Sequence, residues 1–110
     1  MPTLVGSGTQ TATVTTEHTL DTETTNGVFV FVVDCAAMLS GATPDETELR
    51  VYYTCLNGGT ERLAYSVAYK GVQGEPMKLS PPIPSDISCR VTLKQTVGTS
   101  RDYPWKLLAL

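Results

Sequence analysis

The residues that could do chemistry are few. His18 is the only histidine of the 110 residues, and Glu17 and Asp21 are its nearest acidic neighbours. One imidazole with two carboxylates falls short of the several ligands that a metal site gathers from separate strands. A Ser-His-Asp triad would need this same histidine, and no Gly-x-Ser-x-Gly turn presents a nucleophile. We therefore expect a surface histidine, no metal site and no triad.

The cysteines do not form a recognisable site. Cys35, Cys55 and Cys89 are an odd number, and no two are spaced as Cys-x-x-Cys, so neither a disulfide framework nor a zinc site is indicated. A nucleophilic thiol needs a base nearby to lower its pKa. Cys55 and Cys89 fall on the apolar side of alternating segments, which predicts thiols packed in a core.

Two further patterns are weaker than they look. Asp45, Glu46 and Glu48 lie in a proline-containing stretch, which indicates a solvated run of charge, whereas a glycosidase needs two carboxylates flanking a sugar cleft. The segment Gly6-Ser7-Gly8-Thr9 lacks the lysine of a phosphate-binding loop and reads as a flexible segment. We therefore predict no enzyme activity and no cofactor.

Composition predicts a single folded domain. Hydrophobic residues make up 41% of the chain and charged residues 17%, with a net charge of −3, so disorder is excluded. The acidic balance argues against a nucleic-acid partner, which requires clustered Lys and Arg. No apolar run approaches the roughly 20 residues that cross a bilayer, and no signal peptide is visible at the start. These patterns predict no membrane partner and assembly in a reducing cytosol.

Charge is unevenly distributed along the chain. Residues 1–49 carry seven acids and no Lys or Arg, whereas residues 50–110 carry eight bases and four acids. Such polarity could steer contacts between copies or with a larger assembly. The alternative is that strands from the two halves interleave and their fields cancel.

Alternation and turn signals predict an all-β fold. The threonine-rich residues 1–16 are expected to form an extended N-terminal arm, and residues 17–110 a β-sandwich. Residues 28–33 are six consecutive β-branched or aromatic residues, which predicts a central strand that is buried on both faces or covered by a neighbour. The turn at residues 57–60, Asn-Gly-Gly-Thr, joins two alternating segments into a hairpin. The result is a single jelly-roll-like sandwich of seven or eight antiparallel strands.

Local details of this prediction are also specific. Residues 34–39 are expected to wind into one short helical turn, and Leu63, Tyr65, Val67 and Tyr69 to face inward on the return strand. Residues 80–84, Ser-Pro-Pro-Ile-Pro, predict an edge or an extended crossing, because proline cannot complete a hydrogen-bond ladder.

Aromatic residues leave two interpretations open. Tyr52 falls on the outward side of its strand beside Arg50, and Tyr103 and Trp105 lie near the end of the chain. Rings exposed on one sheet face could stack on a glycan. The alternative is that the rings fill the core or its rim. Those concerned are Tyr53, Tyr65, Tyr69 and Trp105.

Two segments carry a family resemblance. Residues 92–101 read TLKQTVGTSR and are followed by YPWKLL, and ELRVY is joined through NGGT to RLAY. Together they resemble the capsid decoration (cement) proteins of tailed bacteriophages, over about residues 28–110. The resemblance does not include the first 27 residues. The positions of the three cysteines are not typical of this family either.

The resemblance implies a structural role. Such proteins are jelly-roll or sandwich domains that form homodimers or homotrimers and clamp adjacent major capsid protein subunits on the outside of the head. The protein would then be assembled in the host bacterial cytoplasm and reside on the capsid surface of the virion. Contacts are expected from the arm, the hairpin tip, the proline segment and one outward tyrosine. The candidate partner-binding residues are Thr3, Leu4, Val5, Thr11, Thr13, Tyr52, Asn57, Pro81, Pro82 and Ile83.

Two other functions compete with this one. A carbohydrate-binding β-sandwich would have exposed Trp or Tyr in a groove. A tail or neck structural protein of a phage would form ring-shaped oligomers that bind no shell.

Overall fold

The chain folds into two packed antiparallel sheets. The structure is a computed structural model that describes residues 2–110, and it contains nine strands and no helix in this range. The predicted all-β sandwich is confirmed, with one strand more than the predicted maximum. The strands are β1 (Thr3–Thr11), β2 (Glu17–Glu23), β3 (Gly27–Asp34), β4 (Glu46–Tyr53), β5 (Arg62–Lys70), β6 (Met77–Leu79), β7 (Ile83–Ser85), β8 (Cys89–Val97) and β9 (Asp102–Ala109).

Strand order mixes the two halves of the chain. The first sheet runs β1-β9-β3-β6, with the short β7 also paired to β3, and the second runs β2-β8-β4-β5. Strands β8 and β9 from the basic half therefore lie between strands of the acidic half. The charge separation seen along the sequence is not kept in space, so the interleaving alternative is the one observed.

The core lies between the sheets and is built by strict alternation. On β3, Phe29, Phe31 and Val33 are almost fully buried and face the second sheet. Burying side chains of this size stabilises the fold by about 1.5–3 kcal/mol each. Their main partners from other strands are Leu49, Val51, Val91, Leu93, Tyr103 and Leu107. The residues between them on β3 point to the other side of the first sheet, so the expectation of burial on both faces holds only for Val32.

Residues 3–11 differ from the expected arm. They form β1, which pairs with β9 of the same chain from Thr3 opposite Ala109 to Thr11 opposite Asp102. Gly8 leaves room for the only tryptophan, because a Cβ there would lie 3.4 Å from Trp105 Nε1. At Gly6, a Cβ would collide with the Asp21 carboxylate. The small residues that suggested flexibility instead seat an edge strand of the sandwich.

The hairpin of β4 and β5 forms as predicted, with one change of register. Val51 lies opposite Tyr65, whereas Tyr52 lies opposite Leu63, so Ala64 is an additional residue on β5. Such a β-bulge moves the residues beyond it to the other side of the strand. Leu63 is therefore 51% exposed instead of facing inward.

Two local predictions are wrong. Cys55 is exposed because β4 ends at Tyr53, so the alternation does not extend to it. Residues 34–39 make only a turn, in which the Met38 amide donates to the Cys35 carbonyl at 3.2 Å. Cys89 is buried, as its position on β8 predicts.

Candidate functional site

The outer surface of the first sheet carries a row of aliphatic side chains. Val28, Val30 and Val32 of β3 project from it, and the pairing of β3 with β9 places Val30 opposite Leu108. Leucines from the neighbouring strands extend the row: Leu4 lies opposite Leu108, and Leu79 lies opposite Val32. We call these six residues the apolar face; they are Leu4, Val28, Val30, Val32, Leu79 and Leu108.

Much of the apolar face is open to solvent. Leu4 is 57% exposed and Leu79 is 60% exposed. A shallow cavity of about 370 Å³ over Val32 is also lined by Lys106 and Asp34. Exposed apolar patches are a feature by which binding surfaces are recognised, so we take the apolar face as the candidate site.

The outer surface of the second sheet is polar and its charges are paired. The Arg50 guanidinium contacts Glu48 and lies 3.0 Å from Glu17 Oε1. Glu17 Oε2 accepts hydrogen bonds from Tyr52 at 2.8 Å and from Thr92 at 2.7 Å.

A second ion pair continues the same network. Arg90 contacts both Glu61 oxygens, donates to Thr19 at 2.8 Å, and lies 4.2 Å from the centre of the Tyr52 ring. We call this surface the charged face; its residues are Glu17, Thr19, Glu48, Arg50, Tyr52, Glu61, Arg90 and Thr92.

Ionisation of Glu17 is favoured by its neighbours. Burial opposes the charge, but hydrogen bonds from Thr92 and Tyr52 and the positive charge of Arg50 outweigh it, so the pKa of Glu17 lies below its ordinary value. These groups satisfy one another within the chain and leave few free polar groups for a partner.

The candidate partner-binding residues do not form one surface. They lie on the apolar face, on the charged face, and at the ends and one side of the sandwich. Leu4 lies on the apolar face, beside Thr3 and Val5 at the start of β1. Tyr52 lies on the opposite, charged face, with its hydroxyl bonded to Glu17 and its ring beneath Arg90.

The remaining candidates lie at the ends and one side of the sandwich. Asn57 is exposed in the loop between β4 and β5, and Pro81 and Pro82 are exposed between β6 and β7. Thr11 donates to Asp102 at 2.7 Å, and the Thr13 amide donates to His18 Nε2 at 3.0 Å. Ile83 belongs to the core cluster and is 8% exposed, and it also lines a cavity beside Pro81 and Pro82.

Of the residues that make the apolar face, only Leu4 was named from sequence as a partner-binding candidate. Val28, Val30 and Val32 belong to an unbroken apolar run, which is typical of a strand covered on both sides. One signal could have shown that these valines face outward. Leu107 and Leu108 are adjacent on β9 and face opposite sides of the same sheet, so this sheet carries apolar side chains on both sides.

The aromatic rings that could stack on a glycan are engaged within the fold. Tyr103 is fully buried, with its hydroxyl 2.7 Å from Thr47 Oγ1 and 3.0 Å from Gln95 Oε1. Trp105 packs against the core beneath β1. The interpretation in which the rings fill the core and its rim therefore describes these side chains.

Burial and hydrogen bonds within the fold shift the pKa values of two cysteines and one aspartate that the sequence analysis considered. Burial raises the pKa of the Cys35 thiol to about 11, and burial also raises the pKa of Cys89. Asp45 is not solvated as expected: it is buried and accepts bonds from the Leu39 and Thr99 amides and from Arg101. Burial opposes its ionisation, but these bonds hold the pKa of Asp45 below its ordinary value.

Within residues 2–110, no group of three or more His, Cys, Asp or Glu side chains is placed to hold a metal ion. The same part of the chain contains no helix of the length and apolarity needed to cross a membrane.

Comparison with family models, curated proteins and solved structures finds no match to this chain.

Proposed function

We propose that the protein is a virion structural protein, a capsid decoration (cement) protein that binds the outside of a tailed phage's major capsid protein shell. The observation that carries the proposal is the apolar face, a row of aliphatic side chains on a sheet whose other side forms the core, of which Leu4, Val28 and Leu79 are exposed. Its burial against a shell would stabilise both partners by about 25 cal/mol for each Å² of apolar surface removed from water.

A symmetric shell suits a small attachment surface. Many identical sites on one shell bind many copies, and self-association into a homodimer or homotrimer links neighbouring sites and raises the avidity. Three cysteines without a disulfide suit assembly in the reducing cytoplasm of a bacterial host.

Cosedimentation with phage heads that lack the protein tests the proposal. We expect saturable binding of the wild type, and loss of binding when Leu4→Asp and Val28→Asp together place two charges on the apolar face. The matched control is Ala68→Asp, an exposed position on the outer side of β5. Equal binding of all three proteins, or no binding of the wild type, would overturn the proposal.

The same samples separate the two competing functions. A tail or neck protein would form rings in the absence of heads and would not sediment with them. A carbohydrate-binding protein would bind members of a glycan array, and that binding would survive the apolar-face substitutions.

A further inference from the structure

Strand β5 has a free edge. It ends the second sheet and pairs only with β4 among the strands of residues 2–110. Native proteins protect such edges with proline, bulges or charges, since unpaired amides and carbonyls bind other strands. Residues 65–70 contain no proline, no glycine and no bulge, so this stretch offers a regular ladder to an incoming strand.

The sandwich is also partly open along this edge. Tyr65, Val67 and Tyr69 point toward the other sheet but are only half-buried. Opposite them the first sheet ends in the three-residue strands β6 and β7, separated by residues 80–82. Residues 78–80 and the row of Tyr65, Val67 and Tyr69 enclose only about 10 Å³ between them, so the sheets meet at β6 and the sandwich opens at the two ends of the row.

Cavities mark the opening at both ends. One of about 500 Å³ is lined by Tyr65 together with Pro81, Pro82 and Ile83. Another of about 620 Å³ is lined by Tyr69, Lys78 and Leu79. We call the stretch of the β5 edge between these two cavities the open groove, and we call the row Tyr65, Val67 and Tyr69 its floor.

Charge indicates what the open groove binds. Arg62 and Lys70 stand at the two ends of β5, and Lys78 lies 4.4 Å from the centre of the Tyr69 ring. Among residues 2–110, Glu75 is the one acid that lines the cavity beside Tyr69, so basic residues outnumber acidic ones along the groove. If β5 of a second copy paired antiparallel along all nine residues, Arg62 would lie opposite Lys70 at both ends, and like charges in that position repel. A segment with acidic residues at its ends complements the site.

We propose that the open groove binds an extended, acid-flanked segment of a partner protein, which adds to β5 as a fifth strand of the second sheet. Backbone hydrogen bonds to β5 supply affinity, and alternate apolar side chains of the segment enter the cavities beside Tyr65 and Tyr69. Identifying the partner as the major capsid protein rests on the proposed function, whereas the site itself does not.

Peptide binding to the isolated protein tests the site. The probe is a fluorescent eight-residue peptide with aspartates at both ends and alternating valine and threonine between them, followed by anisotropy. Two further peptides carry N-methyl groups on either the odd or the even residues. A strand that pairs through one edge loses its bonds in one methylated peptide only, so we expect at least tenfold weaker binding of one and near-normal binding of the other.

Substitutions in the protein test the charge and the floor of the groove. The double variant Arg62→Glu, Lys70→Glu should bind the aspartate peptide roughly threefold to tenfold more weakly and prefer a lysine-flanked version. Val67→Glu should abolish binding, whereas Ser66→Glu, on the other side of the same strand, should not. The double variant alters only exposed side chains, so the test does not depend on whether Val67→Glu folds.

Three outcomes would overturn the proposal. They are no binding of the unmethylated peptide, equal weakening by both N-methyl patterns, and a dimer of the free protein that disappears on Val67→Glu but not on Ser66→Glu. The last would assign the groove to a second copy. Because the peptides are tested without phage heads, failure of head binding and failure of this site are separate results.

Discussion

The two outer surfaces of the sandwich differ in the side chains that they expose to solvent: one carries paired charges and the other carries aliphatic side chains. At the centre of the charged face, Thr92 is fully buried under paired side chains of Glu17 and Arg50. At the centre of the apolar face, Val32 is 6% exposed, yet the leucines around it are open to water. The charged face is complete within one chain, whereas the apolar face is stabilised further only when another molecule covers it.

Reversing the chemistry at the centre of the apolar face should have the largest effect. Val32→Asp places a carboxylate between Leu79 and Leu108 at a position that is 6% exposed, and the exposed Lys106 opposite it offsets only part of the cost of burying the charge. We expect a loss of about 3–5 kcal/mol in the free energy of unfolding, measured with urea. Val32→Ile should change stability by less than about 1.5 kcal/mol. Equal stability of the aspartate variant would mean that this position is not enclosed.

The matching change on the charged face should cost less. Thr92→Val keeps the shape of the side chain but removes a hydrogen bond to the Glu17 carboxylate, which lowers stability by about 1–2 kcal/mol. Urea unfolding of Thr92→Ser, which keeps the hydroxyl, supplies the control. A valine variant as stable as wild type would show that this bond contributes nothing net.

Acid should weaken the charged face and leave the apolar face unchanged. The pKa of Glu17 is lower in the folded protein than its ordinary 4.5, so its contribution is present above pH 4.5 and is lost as pH falls through the folded value. The buried Asp45, also with a lowered pKa, adds to the same acid-side loss.

Urea unfolding from pH 7 to pH 2 measures this loss, and Glu17→Gln should reduce the slope below pH 4.5. If the slope of Glu17→Gln equals that of the wild type, Glu17 is not the group that titrates.

The smallest effect is expected at the rim of the charged face. Arg90→Lys removes the two-pronged contact with Glu61 and the stacking on Tyr52, at a cost of about 0.5–1 kcal/mol, because the pair is partly exposed. Lys106→Arg, which adds a guanidinium beside the apolar face, should leave thermal stability unchanged. A loss above about 2 kcal/mol for Arg90→Lys would mean that the network is more cooperative than its exposure indicates.

Elements with strict alternation and a marked turn could be predicted from sequence. The core positions of β8 and the hairpin of β4 and β5 follow from side chains that alternate every second residue and from Asn-Gly-Gly at the turn. The bulge at Ala64 could not be predicted, since one added residue leaves no compositional trace yet moves Leu63 to the other side.

Pairing between segments that are distant in the sequence could not be predicted either. The first strand looked like an arm because its threonines and glycines have no apolar stripe. Its partner β9 lies about 100 residues away, and the need for glycine at Gly6 comes from Asp21 on β2. The apolar face was missed for the same reason. Burial of β3 depends on what covers its outer side, which no local pattern encodes.

The fluorescence of the indole beneath β1 reports on the position of this strand. Trp105 is the only tryptophan, and its ring lies against Gly8, so its emission wavelength depends on whether the first strand is seated. Detachment of β1 would admit water to the ring and shift emission to the red while the rest of the sandwich stays folded. Opening of this one strand can therefore be followed in the unlabelled protein, separately from global unfolding.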